Sequence, residues 1–364
     1  MRRAFVVGGA AIFVALILMT LRSGGAHVVA ATTPSSTSSS TASSSAAASA
    51  HGDKWKAPPA RAAALPAAGS PGKVIISGGY GSADGQFGRR RDPESNPEGP
   101  MAVAAGPNGQ LAVVDQVNRR ILRYKDGKLV GSVAIGGDTV QDIAFARDGK
   151  MLVLDRLVDG NVQIYGADGK LANEVSLAGK GVSEGGGVTG VFSDDDGIYV
   201  ERDHESVVRI ADASGASDPN RPEMVGRPSR DGRLLLAAEI ADAANGDVLV
   251  SASDRTSGQP AWKQPIHLGI PIVHIITLDS DAAGQVYLAV DVGHETASAP
   301  FTIYDEHILV ARLGSGGAPR GMLSIPPLPT ADESFRPITV DDDGSVYVMA
   351  AGDNGLAVTR YVFP

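Results

Sequence analysis

From about residue 100 onward, polar and apolar positions follow a phrase that returns six times. An apolar run leads into a tight turn closed by glycine, and a second apolar run follows. The copies are MAVAAGPNGQLAVVD, DIAFARDGKMLVLD, TGVFSDDDGIYVE, LLLAAEIADAANGDVLVSASD, IITLDSDAAGQVYLAVD and PITVDDDGSVYVMA. Their turn glycines are Gly109, Gly149, Gly197, Gly246, Gly284 and Gly344, spaced 38 to 60 residues apart. A hairpin recurring at this interval is the pattern of a propeller blade. A third strand follows in RRILRYKDG, NVQIYGADG and SVVRIADASG, and a fourth in LVGSVAIGG and LANEVSLAG. Alternation at Gln163 and Tyr165, and at Val346 and Val348, turns one face of a sheet toward the next blade.

Inner strands are expected to start near residues 101, 142, 188, 234, 273 and 336, which makes six blades. The last unit ends at LAVTRYVFP, its third strand. The segment Lys73-Val74-Ile75-Ile76-Ser77 is predicted to supply the fourth and close the ring, removing two exposed sheet edges. The fold class is therefore all-β, a six-bladed propeller over residues 71–364 closed by an N-terminal strand. Hydrophobic residues at 43% suffice for its core, and 45 glycines suit its turns.

The first 70 residues differ in kind. Arg2 and Arg3 precede an uncharged apolar run from Ala4 to Leu21. It is long for a signal peptide and just long enough to span a bilayer, so residues 1–22 read as an uncleaved helical anchor or a cleaved signal. Either places the remainder outside the cytoplasm: in the periplasm on an inner-membrane anchor, or secreted. Residues 23–70, rich in Ala, Ser, Thr and Pro, are expected to be a disordered tether with a span of roughly 35 Å. Cysteine is absent, which excludes disulfides and thiolate metal sites.

After residue 70 the chain carries 26 basic against 40 acidic residues. That balance argues against nucleic acid and anionic lipid as partners, and leaves the membrane to the N-terminal segment alone. Arg89-Arg90-Arg91 is a local exception that reads as a solvated loop.

The stretch from Gly81 to Tyr124 resembles an NHL repeat. It carries Asp84-Gly85-Gln86-Phe87, Pro97-Glu98-Gly99, the Asn108-Gly109 turn, Asp115 and Asn118-Arg119-Arg120-Ile121, with Gly88 to Asn96 as an insertion. The likeness is good over the first blade, fair over the second and degenerate afterwards. It implies a six-bladed propeller with the loops between second and third strands gathered at one channel mouth. Those loops would hold Asp115 and Asn118; Asp155 and Asp159; Glu201 to Glu205; Asp254 and Arg255; Asp291, His294 and Glu295; and Asp353 and Asn354.

An acidic rim of this kind suits Ca²⁺, a hard cation, with Asp115, Asp155, Glu201 and Asp291 as its ligands. The competing reading is that each Asp caps its own turn. His204 and His294, each beside a glutamate, are the candidate acid–base residues. The runs Asp194-Asp195-Asp196 and Asp341-Asp342-Asp343 sit at hairpin turns that want Asp regardless. No His spacing supports zinc, and there is no nucleophile elbow or phosphate loop. Residues 291–335 exceed a blade's needs and are a candidate recognition loop. Trp262 is either a stacking platform or a packing residue between blades.

Two function classes follow. The first is a binding or scaffold module for a protein or glycan in the cell envelope. The second, implied by the calcium-dependent lactonases and lyases among propellers that look related, is a hydrolase or lyase with a cation at the channel mouth.

Overall fold

The computed structural model describes residues 67–68, 71–93, 97–137, 139–329 and 333–364. Residues 1–66, which include the predicted anchor or signal and most of the predicted tether, lie outside them. Among the described residues no helix is long and apolar enough to cross a membrane.

Six antiparallel sheets make six blades. Blade one runs outward through Ala102–Gly106, Gln110–Asp115, Arg120–Lys125 and Lys128–Ala134. Blade two is Val140–Phe145, Met151–Asp155, Asn161–Tyr165 and Leu171–Ser176, and blade three Val188–Ser193, Ile198–Arg202, Ser206–Ala211 and Glu223–Val225. Blade four is Arg227–Pro228, Leu234–Asp242, Asp247–Asp254 and Pro260–His267. Blade five is Ile272–Ser280, Val286–Glu295, Ile303–Leu313 and Pro319–Ile325, with Ala67–Ala68 paired in parallel on its outer edge. Blade six is Ile338–Val340, Val346–Gly352 and Gly355–Tyr361, completed by Lys73–Gly78.

The closing strand is thus the predicted one. Lys73 stands opposite Arg360 and Gly78 opposite Leu356. Ile76 is buried in the cluster that joins blade six to blade one, with Phe87, Val103, Leu122, Tyr347 and Val358.

Blade four departs from the expected phase. Its inner strand is the two-residue piece Arg227–Pro228, followed by the turn from Ser229 to Gly232. The run LLLAAEI is therefore its second strand, and Gly246 closes the turn between second and third strands. Asp254 and Arg255 consequently belong to the loop between third and fourth strands, at the opposite end of the blade from the rim where they were expected. The extra length of blade five is a raised hairpin: Val286–Glu295 and Ile303–Leu313 stay paired out to Glu295 and Ile303.

Five buried apolar clusters fill the ring, and they join blades one and two, two and three, four and five, five and six, and six and one. None of the five spans blades three and four. That junction is crossed by ion pairs instead: Glu201 with Arg227, and Arg255 with Asp194 and Asp196.

Candidate functional site

The rim acids at the ends of second strands are placed by the fold, but they do not converge. Among the described residues, no group of three His, Asp or Glu side chains is arranged to hold a metal ion.

Asp115 ends the second strand of blade one and is fully buried. Its Oδ1 accepts from the Gly88 amide at 2.7 Å, and its Oδ2 from Asn118 Nδ2 and Arg120 Nε, both at 2.8 Å. Arg120 donates onward to the carbonyls of Ser82, Ala83 and Gln86. Asp115, Asn118 and Arg120 therefore staple the Asp84-Gly85-Gln86-Phe87 loop. The residues that carry the repeat resemblance are spent on this loop, with a guanidinium standing where a cation was expected.

Asp155 is also fully buried. Its Oδ1 accepts from the Thr139 hydroxyl at 2.8 Å and from the amides of Leu157, Val158 and Asp159 at 3.1–3.3 Å. Its Oδ2 accepts no hydrogen bond from the protein.

Asp291, in the second strand of blade five, faces His274 of the inner strand, with Nδ1 3.6 Å from Oδ2. Glu306 of the third strand lies beside it. Burial holds both carboxyls above their usual range, and the Asp291 charge raises Glu306 further. Burial pushes the His274 imidazole down. Farther out on the raised hairpin, His294 stacks on Tyr304 with ring centroids 5.3 Å apart and planes 24° apart, and Glu295 is exposed. Asp291 and His294 do not share a partner.

Trp262 packs on the core between blades four and five. Its Nε1 donates to the Ser315 carbonyl at 3.0 Å, and a Cβ at Gly317 would stand 2.6 Å from its ring. One face is thus covered by backbone, as the packing reading expects. The aspartate runs are turn caps. Asp194 accepts from the amides of Asp196 and Gly197, and Asp343 accepts from Ser345 and Arg360.

One predicted pair is brought together. Glu201, at the end of the second strand of blade three, is buried, and its Oε2 lies 3.0 Å from Nδ1 of His204. The Thr189 hydroxyl donates to the same oxygen at 2.8 Å. Across the blade junction Arg227 grips both carboxylate oxygens, Nε on Oε1 and Nη2 on Oε2. Burial pushes the Glu201 carboxyl up, but Arg227 and the bonds from His204 overrule it and bring it down to about 2. Glu201 is therefore a fixed anion that orients an exposed imidazole. His204 and Arg227 line a cavity of about 170 Å³ whose other wall is apolar, with Leu236, Ala238, Ile275 and Leu278.

Residues the sequence did not single out form the floor beneath this pocket. Phe192 has the Arg227 guanidinium 4.9 Å and the Arg336 guanidinium 4.8 Å from its ring centroid. Arg336 Nη2 bonds Asp142 at 2.6 Å, and Asp142 also accepts from the Val191 amide. This layer lies at the bottom of a second cavity of about 360 Å³, which draws on all six inner strands and opens at the opposite end of the ring.

No family model and no curated protein matches the chain. Solved structures match in fold at low identity. Kuenenia stuttgartiensis hydrazine synthase gives a TM-score of 0.47 at 14% identity, covering 71% of this chain and 77% of its own. A streptogramin B lyase gives 0.39 at 12%, covering 75% and 95%. A catalytically inactive Staphylococcus aureus virginiamycin B lyase with quinupristin gives 0.42 at 12%, covering 80% and 96%. On its own topology the chain is a six-bladed β-propeller.

Proposed function

We propose that the protein is a recognition module of the cell envelope, binding a protein or glycan through the end of the ring that carries the second-to-third-strand loops. The observation behind this reading is the Glu201–His204–Arg227 pocket, assembled from three blades. Its volume suits one side chain or one sugar edge rather than a whole substrate. The hairpin adds Phe301 and Tyr304, large rings that are 41% and 50% exposed. Exposed aromatics and a charged, partly apolar pocket suit both ligand classes. Residence in the envelope rests on the N-terminal sequence.

The test is titration of the full chain against envelope polysaccharides and a displayed peptide library, alongside His204→Ala and Tyr304→Ala. A ligand that both variants weaken at least tenfold, at unchanged melting temperature, supports the reading. Absence of any ligand in both classes, or a ligand indifferent to both variants, overturns it.

A second reading, a hydrolase or lyase, is favoured by the His204–Glu201 hydrogen bond. A buried carboxylate on Nδ1 leaves Nε2 open to solvent, the arrangement of an oriented general base. The calcium that the resemblance implies does not fit here, because arginines already neutralise Asp115 and Glu201. A proton-abstraction role for His204 thus stands without it. Turnover of lactone or cyclic ester substrates that is lost in His204→Ala would carry this reading.

A further inference from the structure

The fully buried Asp155 has one satisfied oxygen and one orphan. Oδ1 takes four hydrogen bonds, whereas Oδ2 takes none from the protein. A buried carboxylate oxygen without a donor is costly, and a nearby negative charge makes it worse. Such a charge is present. Asp159, exposed at the end of the same turn, brings its Oδ2 to within 2.9 Å of the point where a Cβ would stand on Gly137, and Asp155 Oδ2 is 2.7 Å from that point. Gly137 has φ +84°, so a side chain there would be strained as well as crowded. Both carboxylate oxygens thus lie close against Gly137, where any side chain would collide with them, and Asp155 Oδ2 has no hydrogen-bond partner.

We propose that these two oxygens, in the second-to-third-strand loop of blade two, bind a hard divalent cation, with Ca²⁺ as its occupant. The donors are Asp155 Oδ2 and Asp159 Oδ2, and water completes the shell. Oxygen-only donors on a turn select Ca²⁺ over softer metals. The exposed Asp159 gives the ion its way in, while the buried Asp155 is fixed beforehand by its Oδ1 bonds. With two carboxylates only, affinity belongs in the weak range, on the order of 10⁻⁴–10⁻³ M. The site is local to one blade. It needs neither Glu201 nor Asp291, and it stands or falls independently of the recognition reading.

The experiment is a melting curve of the full chain with a chelator and again with 10 mM Ca²⁺, with calorimetric titration of Ca²⁺ alone. The wild type is expected to melt about 2–4 °C higher with Ca²⁺. Asp159→Asn keeps the fold, loses most of that shift, and in chelator melts no lower than the wild type, because it removes a like charge from Asp155. Asp353→Asn, a rim acid elsewhere, keeps the full shift. The proposal is overturned by a wild type indifferent to Ca²⁺ in both measurements, which would leave water as the partner of Oδ2. It is equally overturned by a shift that survives in Asp159→Asn.

Discussion

Glu201 and Arg227 meet, bidentate, across the one blade junction that no buried apolar cluster spans. Blades three and four are therefore held together in large part by charge. Arg255 adds to this, reaching Asp194 and Asp196 while its guanidinium lies 5.3 Å from the Tyr199 ring centroid. A junction of this kind has a different response to mutation and to pH from its five neighbours.

Breaking the pair from one side is expected to be severe. Glu201→Gln leaves Arg227 buried with its charge uncompensated and should cost about 3–5 kcal/mol in urea unfolding. Replacing both partners, as in Glu201→Leu with Arg227→Met, should recover most of that loss. A double variant no more stable than Glu201→Gln would show that the charge pair itself, and not the volume it fills, holds the junction.

Acid should open the same junction. The folded-state pKa of Glu201 is depressed from 4.5 to about 2. Its contribution is therefore present above pH 4.5 and is lost as pH falls toward about 2. Unfolding curves at pH 7, 4.5 and 3 should show this loss in the wild type and a shallower one in Glu201→Gln.

The carboxyls of Asp291 and Glu306 carry the opposite sign. Both are raised, so the folded chain binds protons more tightly than the unfolded chain does. Their contribution favours folding at low pH and is lost as pH rises through and beyond the ordinary carboxylate range. His274 and His307 flank the pair and are its nearest cationic groups when protonated. Asp291→Asn should raise the melting temperature at pH 8, on the order of 2 °C, and have less effect at pH 4. A lower melting temperature at pH 8 would show that the pair is no liability there.

Ring closure is testable at Ile76, which is 3% exposed in the cluster joining blades six and one. Ile76→Ala should cost about 2–5 kcal/mol. Val74→Ala, in the same strand but 55% exposed, should cost less than about 0.5 kcal/mol. Equal effects would mean that the closing strand is held by its backbone bonds alone.

The fold was legible because each hairpin repeats the same local chemistry, and the closing strand because Lys73–Ser77 matched a gap at the other end of the chain. Blade four misled because its inner strand has only two residues and a polar turn, Ser229–Gly232. Its second and third strands, by contrast, are long, apolar and joined at Gly246, and so imitate the inner hairpin. At the candidate site, local sequence found the acids but not their counter-charges. Asp115 has its arginine only five positions away, but Glu201 is neutralised from 26 positions away, across a blade junction. No local window on the chain connects that second pair. Only the ring does, and so Glu201 looked open to a metal where Arg227 already grips it.

The closing strand also sets the end at which the backbone enters the ring. Lys73 pairs with Arg360, near the end of the chain, whereas Gly78 lies by Leu356 at the Gly352–Gly355 turn. The backbone thus enters the ring at the end opposite the His204 pocket, and Ala67–Ala68, parallel to Met322–Leu323, approaches from that same end. The start of the entering strand and the pocket with its raised hairpin thus lie at opposite ends of the ring, so a partner seated on the pocket does not meet the entering backbone.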